Sequence, residues 1–155
     1  MLTLAIDPGT DKSGWCVLLD GRVLESGVDQ NFDMLLRVMR FEGRMAIEMI
    51  ASYGMAVGRE VFETCVWIGR FVQASPNPGA VRLVYRRDVK LHLCGTAKAK
   101  DPNIRQALLD MFPRTGGGKT PQVGTKSQPG PLYGVSSHAW AALAVAVTVT
   151  AQEAA

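Results

Sequence analysis

Apolar residues recur at two periods along this chain, and the switches between them predict its elements. Leu2, Leu4, Ala5 and Ile6 make a short apolar run that stops at Asp7, where Pro8 and Gly9 turn the chain. This pattern predicts a buried strand over residues 2–6 with a carboxylate at its tip. Residues 14–19 (Gly-Trp-Cys-Val-Leu-Leu) predict a second strand. Asp20-Gly21 is a two-residue hairpin signal that leads into a third strand over 22–27. Phe32, Leu35, Leu36 and Met39 then follow at helical spacing, which predicts an amphipathic helix over 31–41 packed through that stripe.

The second half continues the alternation. Residues 45–50 (Met-Ala-Ile-Glu-Met-Ile) predict another buried strand, again with an acid, Glu48, near its end. A connector containing Gly54 leads to a longer helix over 57–74, with Val61, Cys65, Ile68 and Val72 on one stripe, and Pro76-Asn77-Pro78-Gly79 stops it. A β-rich run over 81–85 and a short helix over 88–94 ending at Gly95 come next. The following helix, 101–111, starts at Asp101, tolerates Pro102 in its first turn, and turns Ile104, Ala107, Leu108 and Met111 inward. Residues 114–131 contain Gly116-Gly117-Gly118, several prolines, Lys119 and Lys126 but no acid, and are expected to form a mobile basic loop. Ser136 or Ser137 is expected to cap a last helix carrying Trp140, Leu143, Ala144 and Val147. This order predicts an α/β fold, a mixed sheet flanked by helices, in a single domain spanning residues 1–155.

Composition sets few further limits. Hydrophobic residues at 47% and charged residues at 20% of 155 describe an ordinary folded chain rather than a disordered one. The net charge of +3 permits a polyanionic partner without demanding one, and most of the basic excess lies between Arg82 and Lys126. Cys16, Cys65 and Cys94 have neither metal-like spacing nor an even number to pair, so a reducing, cytoplasmic setting is expected. No basic segment followed by a long apolar one opens the chain, and the longest apolar stretch, 139–151, is too short to span a bilayer. Neither export nor a membrane is therefore expected.

The candidate chemistry follows from the two strand-end acids. A carboxylate at the tip of a buried strand is costly to desolvate unless something neutralises it, and a divalent cation is the natural partner. The plainer reading is an Asp that only caps the turn. Placing the first strand beside the Glu48 strand brings Asp7 and Glu48 to one sheet edge. Two-metal phosphodiester hydrolysis needs converging carboxylates of this kind. Magnesium suits such oxygen ligands, and manganese is the alternative.

Four segments, AIDPGTDKSGW, IEMIASYGM, VKLHLCGTAKAKDPNIRQALLDMF and SSHAWAALAVAVT, resemble in that order the RuvC-type Holliday junction resolvases, particularly a phage-borne branch. The resemblance runs from Leu2 to about Thr150. It implies an RNase H-like fold and a homodimer. It also implies a magnesium- or manganese-dependent endonuclease that cuts two opposed strands of a four-way DNA junction. By position, Asp7 matches the first-strand aspartate, Glu48 the central-strand glutamate and His138 the acid or histidine opening the last helix. The aspartate expected three residues on is Ala141 here. Asp101, which follows Lys98-Ala99-Lys100, is the candidate replacement, with a plain cap as the other reading. Glu60 and Glu63 are weaker candidates, better explained as helix-surface acids. The implied metal set is thus Asp7, Glu48, Asp101 and His138.

Junction recognition is recognition of shape through phosphates, and Lys98, Lys100, Arg105, Lys119 and Lys126 are the candidate contacts. Tyr53, on the turn after the Glu48 strand, is a candidate to stack on an unpaired base, or else packs into the core. Trp67 and Phe71 offer apolar area for a dimer interface or for the monomer core. Three other functions remain open. The loss of an acid at 141 fits a module that binds branched DNA without cutting it. An RNase H-like enzyme acting on RNA–DNA hybrids would use the same acids. Asp-Pro-Gly-Thr followed by Ser-Gly also resembles the first phosphate loop of actin-like ATPases, which need a second domain that this length does not accommodate.

Overall fold

A computed structural model describes all of the chain, residues 1–155. The apolar run before Asp7 forms the middle strand, β1 (Leu2–Asp7). It pairs antiparallel with β2 (Lys12–Leu19), which pairs antiparallel with β3 (Arg22–Gln30). The β2–β3 turn is the expected tight one: Asp20 and Gly21 both take positive φ, 47° and 80°, as a two-residue hairpin that matches the strand twist requires. Helix α1 (Asn31–Arg40) then crosses to β4 (Arg44–Met49), which lies parallel to β1. Helix α2 (Arg59–Ala74) crosses to β5 (Arg82–Tyr85), parallel to β4. The single sheet has the order β3-β2-β1-β4-β5. Helices α3 (Arg86–Cys94), α4 (Asp101–Met111) and α5 (Ala139–Ala154) complete the chain. Residues 1–155 form this one sheet with its helices.

Strand alternation divides the core. Leu4, Ile6, Trp15, Val17, Met45 and Ile47 face α1 and α2, where Met34, Val38, Ile68 and Phe71 cover them. Ala5, Cys16, Leu18, Ala46 and Val84 face α5, with Val89 of α3 and Ile104 and Leu108 of α4 around its flank. Residues on this second face are small, which lets α5 lie close to the sheet. That helix is buried continuously from Ala142 to Val149. It is apolar all round, as a helix walled in by other elements should be. No helix is long and apolar enough to cross a membrane.

Several local expectations are corrected. In α1 the inward residues are Asn31, Met34 and Val38, whereas Phe32, Leu36 and Met39 are exposed. The buried Asn31 sets that rotation by bonding back into the β1–β2 turn. Lys100 holds the N-cap position of α4, and its backbone N–H donates to Asn103 Oδ1 at 2.9 Å. Asp101 is therefore the first helical residue and not its cap. Met111, expected inward, is exposed, and Leu109 is buried instead. Neither Ser136 nor Ser137 caps α5: His138 holds that position, with no side-chain cap bond, and Ser137 takes φ +51°. Tyr53 is exposed on the turn after β4 rather than packed, at φ +51°. Residues 114–131 contain no helix or strand but close on themselves through backbone bonds such as Gly116 N–H to Pro121 O and Gly130 N–H to Val123 O. The buried Gln122 side chain ties that loop to α4 by donating to Leu109 O at 3.1 Å.

Candidate metal-dependent active site

Three parallel strands, β1, β4 and β5, end at one edge of the sheet, and each delivers a charged residue there. In the parallel pair Ile6 stands opposite Ile47, so one step further Asp7 stands opposite Glu48. Ala5 and Ala46 point toward α5, and Asp7 and Glu48, two residues on, share that face. Arg86, the first residue of α3, follows β5 directly. Ligands in open α/β sheets sit at this carboxyl edge. The cleft found here is lined by Asp7, Glu48, Arg86, Asp101, Arg105 and His138, among others.

The turn after Asp7 is held without help from its carboxylate. Gly9 N–H donates to Ser13 Oγ at 3.3 Å, Ser13 Oγ–H donates to Asn31 Oδ1 at 2.6 Å, and Asn31 Nδ2 donates to Gly9 O at 2.9 Å. The Asp7 side chain instead meets His138, with Nδ1 3.1 Å from Oδ2. The turn-cap reading of Asp7 fails on this geometry. The carboxyl faces the cleft, where His138 is its partner.

Both acids are shielded from water, with side chains only 16% (Asp7) and 12% (Glu48) exposed. Burial raises the proton affinity of each, because the charged form loses more hydration. Glu48 is pushed up to about 7, by burial first and then by repulsion from Asp7, against the pull of Arg86 and Lys90. Asp7 is also raised by burial, opposed by His138 and then Arg86. Two carboxylates that resist ionising side by side are a place where a cation is favoured.

The other expected residues group differently. His138 leans in from solvent, its side chain 69% exposed. Asp101, 82% exposed, pairs with Arg86 Nη2, while Arg86 Nη1 lies 3.6 Å from Glu48 Oε1. The four residues Asp7, Glu48, Asp101 and His138 line one cleft, yet no three acidic, histidine or cysteine side chains gather closely enough to enclose a metal ion. Ala141 also lines the cleft and offers no ligand. Arg105 stands at its rim with its guanidinium 4.6 Å from the Trp140 ring centroid. Lys98 and Lys100 are exposed on the approach to α4 beside Asp101, and Lys119 and Lys126 are exposed on the 114–131 loop. Those four lysines and Tyr53 do not line the cleft. Glu63 pairs with Arg59 on the surface of α2, as an ordinary helix acid does.

No protein-family model and no curated protein sequence matches the chain. Two solved structures do match. A Thermus thermophilus RuvC structure superposes with a TM-score of 0.69 at 21% identity, covering 99% of this chain and 97% of that one. T. thermophilus RuvC in complex with a Holliday junction substrate gives 0.66 at 23% identity, covering 96% and 92%. The chain has the RuvC fold.

Within the RuvC fold the donor chemistry at the sheet edge suits a hard divalent ion. Magnesium is commonly held by one or two carboxylates, keeping waters in its other positions. Asp7 and Glu48 provide that much, and no third acid, histidine or cysteine gathers with them. The residues that the sequence did not flag are Arg86, which bridges two acids, and Gly14, which lets α5 start over Asp7. A Cβ on Gly14 would lie 2.4 Å from the backbone C and O of His138. Gly14 is paired with Asp7 across β1 and β2, so the missing side chain sets the height of His138 above the acid. Gly14→Ala is therefore expected to lower stability by about 1–3 kcal/mol through overpacking, measured by denaturant unfolding. A midpoint equal to wild type would show that α5 does not need this close approach.

Proposed function

We propose that this protein is a structure-selective DNA endonuclease that resolves four-way junctions by metal-dependent phosphodiester hydrolysis. The observation that carries the reading is the pair of shielded carboxylates, Asp7 and Glu48, at adjacent parallel strand ends under His138. Support comes also from the fold, since one of its solved neighbours holds a Holliday junction substrate. Asp7 and Glu48 would hold a magnesium or manganese ion, which supplies an activated water and charge stabilisation at the scissile phosphate. In the reaction the oxygen of water bonds to phosphorus, the bond from phosphorus to one ester oxygen breaks, and that oxygen leaves with a proton. Asp7 fixes His138 through Nδ1, so its ring stands at the mouth of the cleft with Nε2 available to relay the proton that the water loses. Arg105 at the rim of the cleft, and Lys98 and Lys100 on the approach to α4, would bind phosphates. Lys119, Lys126 and Tyr53 would contact the junction further out. The three cysteines are unpaired, which suits a reducing cytoplasm.

A nicking assay on a synthetic four-way junction, a linear duplex and an RNA–DNA hybrid, each with magnesium or manganese, tests the reading. Paired nicks on the junction alone are expected. Cutting of the hybrid in preference would replace the substrate assignment. Binding without any cutting would select the second reading, a branched-DNA-binding module, which Ala141 and the lack of a third gathered ligand favour.

Two symmetric cuts require two related sites, so we also propose a homodimer. Phe71 belongs to the monomer core, but Phe32 (67% exposed) and Phe62 (63% exposed) leave an apolar surface across α1 and α2. Phe32 stacks edge-on against the half-buried Trp67 there, at 5.2 Å. Wild type is expected to sediment as a dimer at micromolar concentration, and Phe62→Asp as a monomer. A monomeric wild type removes the dimer.

A further inference from the structure

Arg86 is the one cation inside the cleft that is bound on two sides, and its two partners are unlike. Glu48, on one side, is shielded and anchored at the end of a central strand. Asp101, on the other, is an exposed carboxylate at the first position of α4. An ion pair with an exposed partner is weak and easily exchanged, because water competes for both charges. The guanidinium hydrogen-bonds the outer acid and lies 3.6 Å from the inner one, and the outer pair, being exposed, is the one that a phosphate can displace. A guanidinium is also the side chain best matched to a phosphate, which it can grip with two parallel N–H bonds. Opposite Arg86 across Glu48 lies Asp7 with His138, and Ala141 leaves that side with no further acid. The cleft therefore has one carboxylate pair for a cation and, directly beside Glu48, the positive charge of Arg86, with Arg105 further out at the rim.

We propose that Arg86 is the phosphate clamp of this site. It trades Asp101 for a DNA backbone phosphate when the junction enters, and it supplies the second positive charge, so that the cleft works with one divalent ion. The inference rests on the nuclease reading above. Asp101 is then a gate on the clamp, competing with DNA, and not a ligand of the ion.

Junction binding by fluorescence anisotropy, in EDTA across a salt series, separates these roles before any cutting occurs. With Arg86→Gln the slope of log affinity against log salt is expected to fall by about one, as for the loss of one phosphate contact. Asp101→Asn is expected to tighten binding about two- to fivefold at low salt by freeing the clamp. In cleavage with magnesium, Arg86→Gln is expected to be slower by about 10²–10³-fold, as for removal of one preorganised donor. Arg86→Lys should lie between it and wild type, since it keeps the charge but not the fork. Wild-type slope and rate in Arg86→Gln would overturn the proposal. So would an Asp101→Asn variant as inactive as Asp7→Asn, which would make Asp101 a ligand. If wild type neither binds nor cuts the junction, the nuclease reading itself fails. If wild type cuts and the Arg86 variants do too, only the clamp fails.

Discussion

Asp7→Asn is expected to bind four-way junctions at least as tightly as wild type and to cut them about 10³-fold more slowly or worse. The amide preserves the size of the side chain and one oxygen, so the β1 end and the turn beyond it are undisturbed. That turn is braced by Ser13, Asn31 and the Gly9 backbone, none of which uses the Asp7 carboxylate. What is lost is half of the paired negative charge that would hold the cation at the sheet edge. A cation's charge stabilisation is worth several kcal/mol in the transition state, and about 4 kcal/mol corresponds to a thousandfold in rate. Binding improves because one fewer negative charge faces the phosphates. Single-turnover cleavage with magnesium, set beside anisotropy in EDTA, reads the two effects separately. Wild-type cleavage by Asp7→Asn would show that these strand ends are not where hydrolysis happens.

The carboxylate pair was legible in the chain because two apolar runs each stop at or beside an acid, and such runs form central strands. Once β1 and β4 are parallel neighbours, the pleat alone puts residues 7 and 48 on one face. His138 was not legible this way. A lone histidine before an apolar stretch has no periodic signature, and only the resemblance of the segment around it to RuvC-type resolvases marked it. Arg86 was missed because it follows a β-rich run as one of two adjacent arginines, and nothing local distinguishes it from Arg87. Its place beside Glu48 comes from the register of β5 on β4, in which Glu48 pairs with Val84. That register is a non-local fact. The rotation of α1 failed for a related reason. Helical spacing of Phe32, Leu36 and Met39 describes an apolar face, but the buried polar bond from Ser13 to Asn31 decides which face turns inward.

Glu48→Gln should remove activity and yet stabilise the cation-free protein at pH 8. The Glu48 carboxyl rises from an ordinary 4.5 to about 7 in the folded chain, chiefly through burial. The folded state therefore holds this proton more tightly than the unfolded state does. The group's favourable contribution is full below pH 4.5, fades as pH rises through about 7 and is gone above it. A tenfold change in proton affinity is worth about 1.4 kcal/mol, so the loss across that window is roughly 3 kcal/mol. The raised affinity of Asp7 acts in the same sense. Glutamine cannot ionise, so the variant escapes the loss, and its advantage over wild type should grow from near zero at about pH 4.5 to roughly 3 kcal/mol at pH 8. Manganese should narrow that gap at pH 8 by stabilising wild type selectively, because the ion neutralises the pair that burial penalises. Denaturant unfolding of both proteins at pH 5, 6.5 and 8, with EDTA or manganese, reads all of this. A wild type whose stability is flat from pH 5 to 8 in EDTA would mean that water reaches Glu48 freely, and the site would then lack the shielding on which the proposed cation binding depends.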